Sequence, residues 1–193
     1  NNYSLLQERA SWSFKDISNN FDNHIASSVP LYHESRHLAS CFTDFLIKTN
    51  STVIDIGCST GTFLKSVAAR HSSKSDLSLL GIDCEESMIE KCILENNDPR
   101  IEYLCQDVIN YDFEDSIQLI SSFYTLQFIH PRFRQYLVDK IYKLLDWGGA
   151  FILAEKVRAT DARFQDWITD LYHEFKFENG FANEAIRNKQ LAL

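Results

Sequence analysis

The run Val53-Ile54-Asp55-Ile56-Gly57-Cys58-Ser59-Thr60-Gly61 constrains the fold of this chain more than any other stretch. Thr52–Ile56 is rich in β-branched residues and reads as a buried strand. Just beyond it, Phe63, Leu64, Val67 and Ala68 recur at helical spacing. Between the two, Gly57 lets the backbone turn without a Cβ clash, and Gly61 permits close packing as the helix begins. A strand that ends in such a turn and feeds a helix is the opening unit of a doubly wound sheet. Ligands of such sheets bind beyond the carboxyl ends of the strands.

The rest of the chain continues the alternation. Leu77–Ile82 reads as a second strand, and Glu86–Glu95 as a helix with Met88, Ile89, Cys92 and Ile93 on its apolar face. Asp98-Pro99 breaks the chain before a third strand, Ile101–Cys105. A fourth apolar run spans Ile117–Leu126, and Pro131 suits the first turn of a helix striped by Phe133, Leu137, Ile141 and Leu144. Gly148-Gly149 is read as a turn into a fifth strand, Ala150–Ala154. A last helix gathers Phe164, Trp167, Ile168, Leu171 and Phe175 on one face. Strands alternating with helices predict a Rossmann-like α/β domain, a mostly parallel sheet covered on both faces. That domain is expected over 49–193, preceded by a helical cap segment over 1–48 that is interrupted at Pro30.

The turn also sorts ligands. A dinucleotide fingerprint needs G-x-G-x-x-G, but here Ser59 stands at the middle position and Thr62 at the third. A pyrophosphate gains nothing from Asp55 just before the turn, whereas a ligand with an ammonium group does. NAD is thereby disfavoured and S-adenosylmethionine favoured. Asp83, directly after the second strand, can accept hydrogen bonds from both ribose hydroxyls; by itself it reads better as a solvated N-cap of the Glu86 helix, and together with the Gly57 loop the ribose role is the stronger reading. Asp107, after the third strand, can take the amino group of adenine while Val108 flanks the ring.

Charge and cysteine content narrow the partners. The net charge is −8 and Asp107 to Asp115 is acidic, so unaided nucleic-acid binding is not expected. The five cysteines are odd in number and scattered without a C-x-x-C pair, the usage of a reducing cytoplasmic compartment. No apolar run approaches a membrane span, and no signal peptide is read. The opening Asn1-Asn2 lacks an initiator Met, which fits a fragment or an excised domain.

These features together resemble the class I S-adenosylmethionine-dependent methyltransferases. The closer resemblance is to the carboxy-S-adenosylmethionine synthase family, which supplies a carboxymethyl donor for tRNA wobble-uridine modification. It is carried by Phe21-Asp22-Asn23-His24-Ile25-Ala26, Ser28-Val29-Pro30-Leu31-Tyr32, the Asp55–Gly61 loop and Met88-Ile89-Glu90-Lys91-Cys92. It continues through Thr125-Leu126-Gln127-Phe128, Lys140-Ile141-Tyr142, Gly148-Gly149-Ala150, Glu155-Lys156, His173-Glu174-Phe175-Lys176 and Asn179-Gly180. The resemblance implies that Tyr32 reaches the donor's amino-acid end and that Gly57, Cys58 and Ser59 line it. It further implies that Asp83 and Cys84 hold the ribose and adenine edge, with Met88 beside them, and that Asp107 and Val108 hold adenine. A homodimer is implied as well. Two departures stand out: Phe123 replaces the family's Asn, and the family's carboxylate-gripping arginine falls in a C-terminal stretch beyond Leu193. The last two strands of the usual seven are likewise expected to be absent.

His33-Glu34-Ser35-Arg36-His37 matches the zinc motif H-E-x-x-H. No third ligand follows, so no metal is expected, and the segment reads as a half-solvated helix over the donor pocket. His33, Tyr124 and His130 are the candidates for acting on an acceptor. The leading expectation is an S-adenosylmethionine-dependent methyltransferase acting on a small-molecule acceptor in a biosynthetic pathway. The alternatives are carboxy-S-adenosylmethionine synthesis, with carboxy-S-adenosylmethionine in the pocket, and a non-catalytic nucleotide-binding interaction module.

Overall fold

A computed structural model describes residues 21–114 and 116–182. The first part of the expected N-terminal helical stretch, and Asp115 of the acidic run, lie outside those residues. The described chain falls into two compact units, one formed by 21–32 with 157–182 and the other by His33–Lys156.

The second unit is built on five parallel strands: β1 (Thr52–Ile56), β2 (Ser78–Asp83), β3 (Ile101–Cys105), β4 (Ile117–Phe123) and β5 (Leu145–Ala154). Their order is β3-β2-β1-β4-β5. The chain thus winds outward from β1 to β3, then crosses back to β4, leaving the switch point between the ends of β1 and β4. Burial on both faces explains the near-continuous apolar runs of the central strands. Successive side chains point to opposite faces. Val53 therefore joins Phe63, Leu64 and Val67 in one core layer, while Ile54 and Ile56 join Leu137 and Ile141 in the other. The same alternation sends Asp55 to the side of Val53.

Three helices flank the first layer: α2 (Tyr32–Leu46), α3 (Thr62–Arg70) and α4 (Glu86–Glu95). The second layer is covered by α5 (Pro131–Leu144), which starts on Pro131 with His130 as its N-cap. In the first unit, α1 (Phe21–Ser28) packs with α6 (Ala162–Glu178). Asp161 caps α6 by accepting from the backbone N–H groups of Arg163 and Phe164. The apolar face expected on that helix is not buried: Phe164, Trp167, Ile168 and Leu171 are each more than half exposed.

The second strand lies one residue later than the expected Leu77–Ile82, and two boundaries differ by more than that. β4 stops at Phe123 because Tyr124 turns into the left-handed region, φ 59°, and a short 3-10 turn at Leu126–Phe128 follows. β5 begins at Leu145 instead of Ala150. Ile117 pairs with Leu145 and Leu119 with Ala150, so the extra residues form a bulge with Gly148 at φ 82°. No helix among the described residues is long and apolar enough to cross a membrane.

Candidate functional site

The site is built at the carboxyl ends of β1, β2 and β4, within the second unit. Gly57, Ser59 and Gly61 all take positive φ, at 71°, 52° and 70°. The loop is pinned across the sheet, because Gly57 and Cys58 both donate their N–H groups to the Ile82 carbonyl, at 2.8 and 3.1 Å. Glycine is required twice for space as well as for conformation. A Cβ on Gly57 would lie 2.0 Å from Thr125 Oγ1, and one on Gly61 would lie 2.3 Å from the Tyr103 hydroxyl. Thr125 and Tyr103, neither foreseen from sequence, therefore wall the loop.

Asp55 is fully buried at the end of β1. Its Oδ1 accepts a 2.7 Å hydrogen bond from Ser121 Oγ on β4, while Oδ2 has no partner. Burial pushes the carboxyl up to about 6, with the Arg36 charge and the Ser121 hydrogen bond acting against it and Asp83 with it. A buried carboxylate oxygen left without a donor is costly, and a ligand ammonium is the group that would satisfy it. Sequence reasoning placed Asp55 but not its partner Ser121, which arrives from the neighbouring strand.

Asp83 ends β2 with its carboxylate already oriented. Oδ2 accepts from the Ser59 N–H at 2.9 Å and Oδ1 from the Glu85 N–H at 3.0 Å. Burial raises its pKa above the ordinary carboxylate value, and these backbone donors oppose that rise. A carboxylate has about four acceptor positions, so each oxygen keeps capacity for a further hydroxyl. Met88 is buried below the loop, with Ser59 Oγ 3.8 Å from its sulfur, and Cys92 Sγ donates to the Ser59 carbonyl at 3.0 Å. Cys58 is buried, and its thiol is pushed up by its hydrogen bond to Cys92 and by desolvation.

Cys84 is exposed beside Asp83. Asp107 is exposed beyond β3, and its Oδ1 holds the Ile109 N–H at 2.9 Å. Val108 is buried next to it.

At the end of β4, Phe123 is buried, its ring centroid 4.9 Å from that of Phe63 with the two planes tilted by 58°. Tyr124 is half-buried in its left-handed conformation, its N–H donating to Ala154 at 2.7 Å. Glu155 fixes the next turn by accepting from the Leu126 N–H at 2.6 Å. His130 is exposed and its Nδ1 accepts from the Arg132 N–H at 3.3 Å, the geometry of a cap. His33 is exposed on α2, and Tyr32 is buried in the first unit. Among the described residues no group of three or more His, Cys, Asp or Glu side chains could hold a metal ion.

The largest omission of the sequence reading is Arg36. Its Nη1 donates to Thr62 Oγ1 at 2.7 Å, and its Cζ lies 5.0 Å from the centroid of the Phe123 ring. Only the zinc-like motif had drawn attention to this part of α2.

The chain matches the methyltransferase-domain family over residues 53–149. It is 32% identical to the carboxy-S-adenosyl-L-methionine synthase of Staphylococcus epidermidis, covering 100% of this chain and 82% of that protein. To the enzyme of the same name from Trichodesmium erythraeum it is 38% identical, over 90% of this chain and 69% of that one. Among solved structures, the plantazolicin methyltransferase in complex with SAH aligns over 98% of this chain and 74% of its own. The TM-score there is 0.60 at 18% identity, a likeness of fold.

Proposed function

Because the chain belongs to the carboxy-S-adenosyl-L-methionine synthase family, we propose that its crevice binds an adenosyl sulfonium amino acid and that carboxy-S-adenosylmethionine is the product formed there. By family the chain is an S-adenosylmethionine-dependent transferase. One observation carries the assignment of the donor to this crevice: the buried, partnerless Oδ2 of Asp55 beside the glycine turn.

Asp55 would receive the donor's ammonium group, and the backbone of Gly57, Cys58 and Ser59 would line its amino-acid end. Asp83 would accept from the ribose hydroxyls, Asp107 from the adenine amino group, and Val108 would pack against the ring. When bound, the donor supplies a sulfonium whose attached carbons are electrophilic. The protein's own contribution is alignment and exclusion of water. Phe123 and Tyr124 place aromatic faces near the end of β4, where a cationic centre is modestly favoured.

Methyl transfer to a small-molecule acceptor is the second reading, favoured by Phe123 at the position where the family resemblance expects Asn. Mass spectrometry of the ligand that co-purifies with the chain separates the two. Carboxy-S-adenosylmethionine supports the first reading, and S-adenosylmethionine or S-adenosylhomocysteine alone supports the second. If calorimetry detects no adenosyl compound at all, both fall and a non-catalytic binding module takes their place. A homodimer and a cytoplasmic setting remain part of this proposal; sedimentation analysis at micromolar concentration tests the first.

A further inference from the structure

We propose that Cys92 is a positioning residue of the donor crevice: its thiol holds the Ser59 carbonyl, and through Ser59 it keeps the Asp83 carboxylate aimed at the ribose hydroxyls. This rests on the reading of the crevice as a donor site.

Ser59 is the residue of the turn that most needs holding. It takes φ 52° with a Cβ in place, a conformation that L side chains resist and that persists only where the surroundings fix it. Three contacts do so. The Ser59 N–H donates to Asp83 Oδ2 at 2.9 Å, the Ser59 carbonyl accepts from Cys92 Sγ at 3.0 Å, and Ser59 Oγ lies 3.8 Å from the Met88 sulfur. The last two partners both come from α4, where four-residue spacing sets Met88 and Cys92 on one buried face.

Cys92 is fully buried, and cysteine is a small side chain that can line an apolar interior and still offer a donor. Its single proton is directed at the Ser59 carbonyl, so the hydrogen bond between the two thiols is donated by Cys58 and accepted by the Cys92 sulfur. Two consecutive residues of the turn are thereby tied to one sulfur. Asp83 stands at the other end of this chain of contacts, oriented by the N–H groups of Ser59 and Glu85. Releasing the Ser59 carbonyl lets Ser59 leave the left-handed region, and its N–H then swings away from Oδ2. The carboxylate loses one of the two backbone donors that aim it.

Calorimetry with S-adenosylhomocysteine on the full chain tests this. Cys92→Val fills the space of the thiol without a donor and is expected to weaken binding roughly five- to twentyfold. Cys92→Ser keeps a donor and an acceptor at the same place and is expected to stay within about threefold of wild type. In an Asp83→Asn background, Cys92→Val is expected to cost less than about twofold further, because the carboxylate through which Cys92 acts is gone.

A residue that only packs the core would favour valine over serine, so a serine variant as weak as the valine one would overturn the inference. An unchanged affinity in Cys92→Val would overturn it too, as would a full further loss in the Asp83→Asn background. Should Cys92→Val fail to fold, Cys92→Ala removes the donor without crowding and is judged by the same comparisons. Should Asp83→Asn bind too weakly to titrate, the contrast with serine decides alone. If wild type binds no S-adenosylhomocysteine, the donor reading itself fails. If wild type binds it and the contrasts are missing, only the role of Cys92 fails.

Discussion

Asp55 is a residue whose burial works against the fold. An unfolded chain titrates this carboxyl near 3.8, whereas the folded one holds its proton to about 6. The stability owed to the neutral form is thus fully present below about pH 4 and is lost as the pH rises through 6. Above that, the protein carries a buried charge with one oxygen lacking a donor. Replacing it by Asn keeps an acceptor for Ser121 and removes the charge. Asp55→Asn is therefore expected to gain about 1–3 kcal/mol in urea unfolding at pH 8 and almost nothing at pH 4. His71 works in the opposite direction, because burial lowers its affinity for a proton. Its stability is present above pH 6.5 and is lost as the pH falls, but it is common to both proteins and cancels in the difference. Donor affinity is expected to behave inversely. In wild type it weakens as the pH drops through 6 and Asp55 takes up its proton, whereas in Asp55→Asn it is weaker throughout and flat with pH.

At the level of elements, the glycine turn is a joint between two strands that never meet in sequence. Gly57 holds φ 71° on β1, and Thr125 beyond β4 fills the space where a Cβ would go. Gly57→Ala therefore meets both left-handed strain and a collision, costing about 3 kcal/mol. Thr125→Ala in the same chain removes the nearest two atoms of that collision and is expected to recover about half, as read from denaturant midpoints. The turn itself was legible from sequence because its geometry is dictated by neighbouring residues. So were β1, α4 and β3, each a local apolar pattern with local stops. The start of β5 was not, because Leu145 is in the strand only through its pairing with Ile117. The same distinction divides the site. Asp55, Gly57 and Asp83 sit at fixed offsets from strand ends and could be named in advance. Ser121 reaches Asp55 across 66 positions and Arg36 reaches Thr62 across 26. Tyr103 and Thr125 are likewise brought in by topology, and no local pattern marks them.

On the scale of the whole unit, the strand order decides where a ligand can act on stability. The crevice lies over β1 and β4, the centre of the sheet, and its loop is tied to β2 through Ile82 and Asp83. A ligand there touches the strands whose separation is global unfolding, not a peripheral flap. Binding should therefore appear in the main thermal transition of His33–Lys156 and not in a separate early one. At a hundred times its dissociation constant a ligand adds about 2.7 kcal/mol, which for a chain of this size raises Tm by roughly 5–10 °C. Asp83→Asn keeps one acceptor for the loop but removes the charge that would bind the ribose hydroxyls. Its own Tm falls because the Ser59 and Glu85 contacts weaken. The diagnostic quantity is the shift on adding S-adenosylhomocysteine at fixed concentration, in which that structural loss cancels. A shift that shrinks to under half of wild type places the sugar on Asp83. A shift that stays whole while the starting Tm drops would leave Asp83 as a brace for the loop and nothing more.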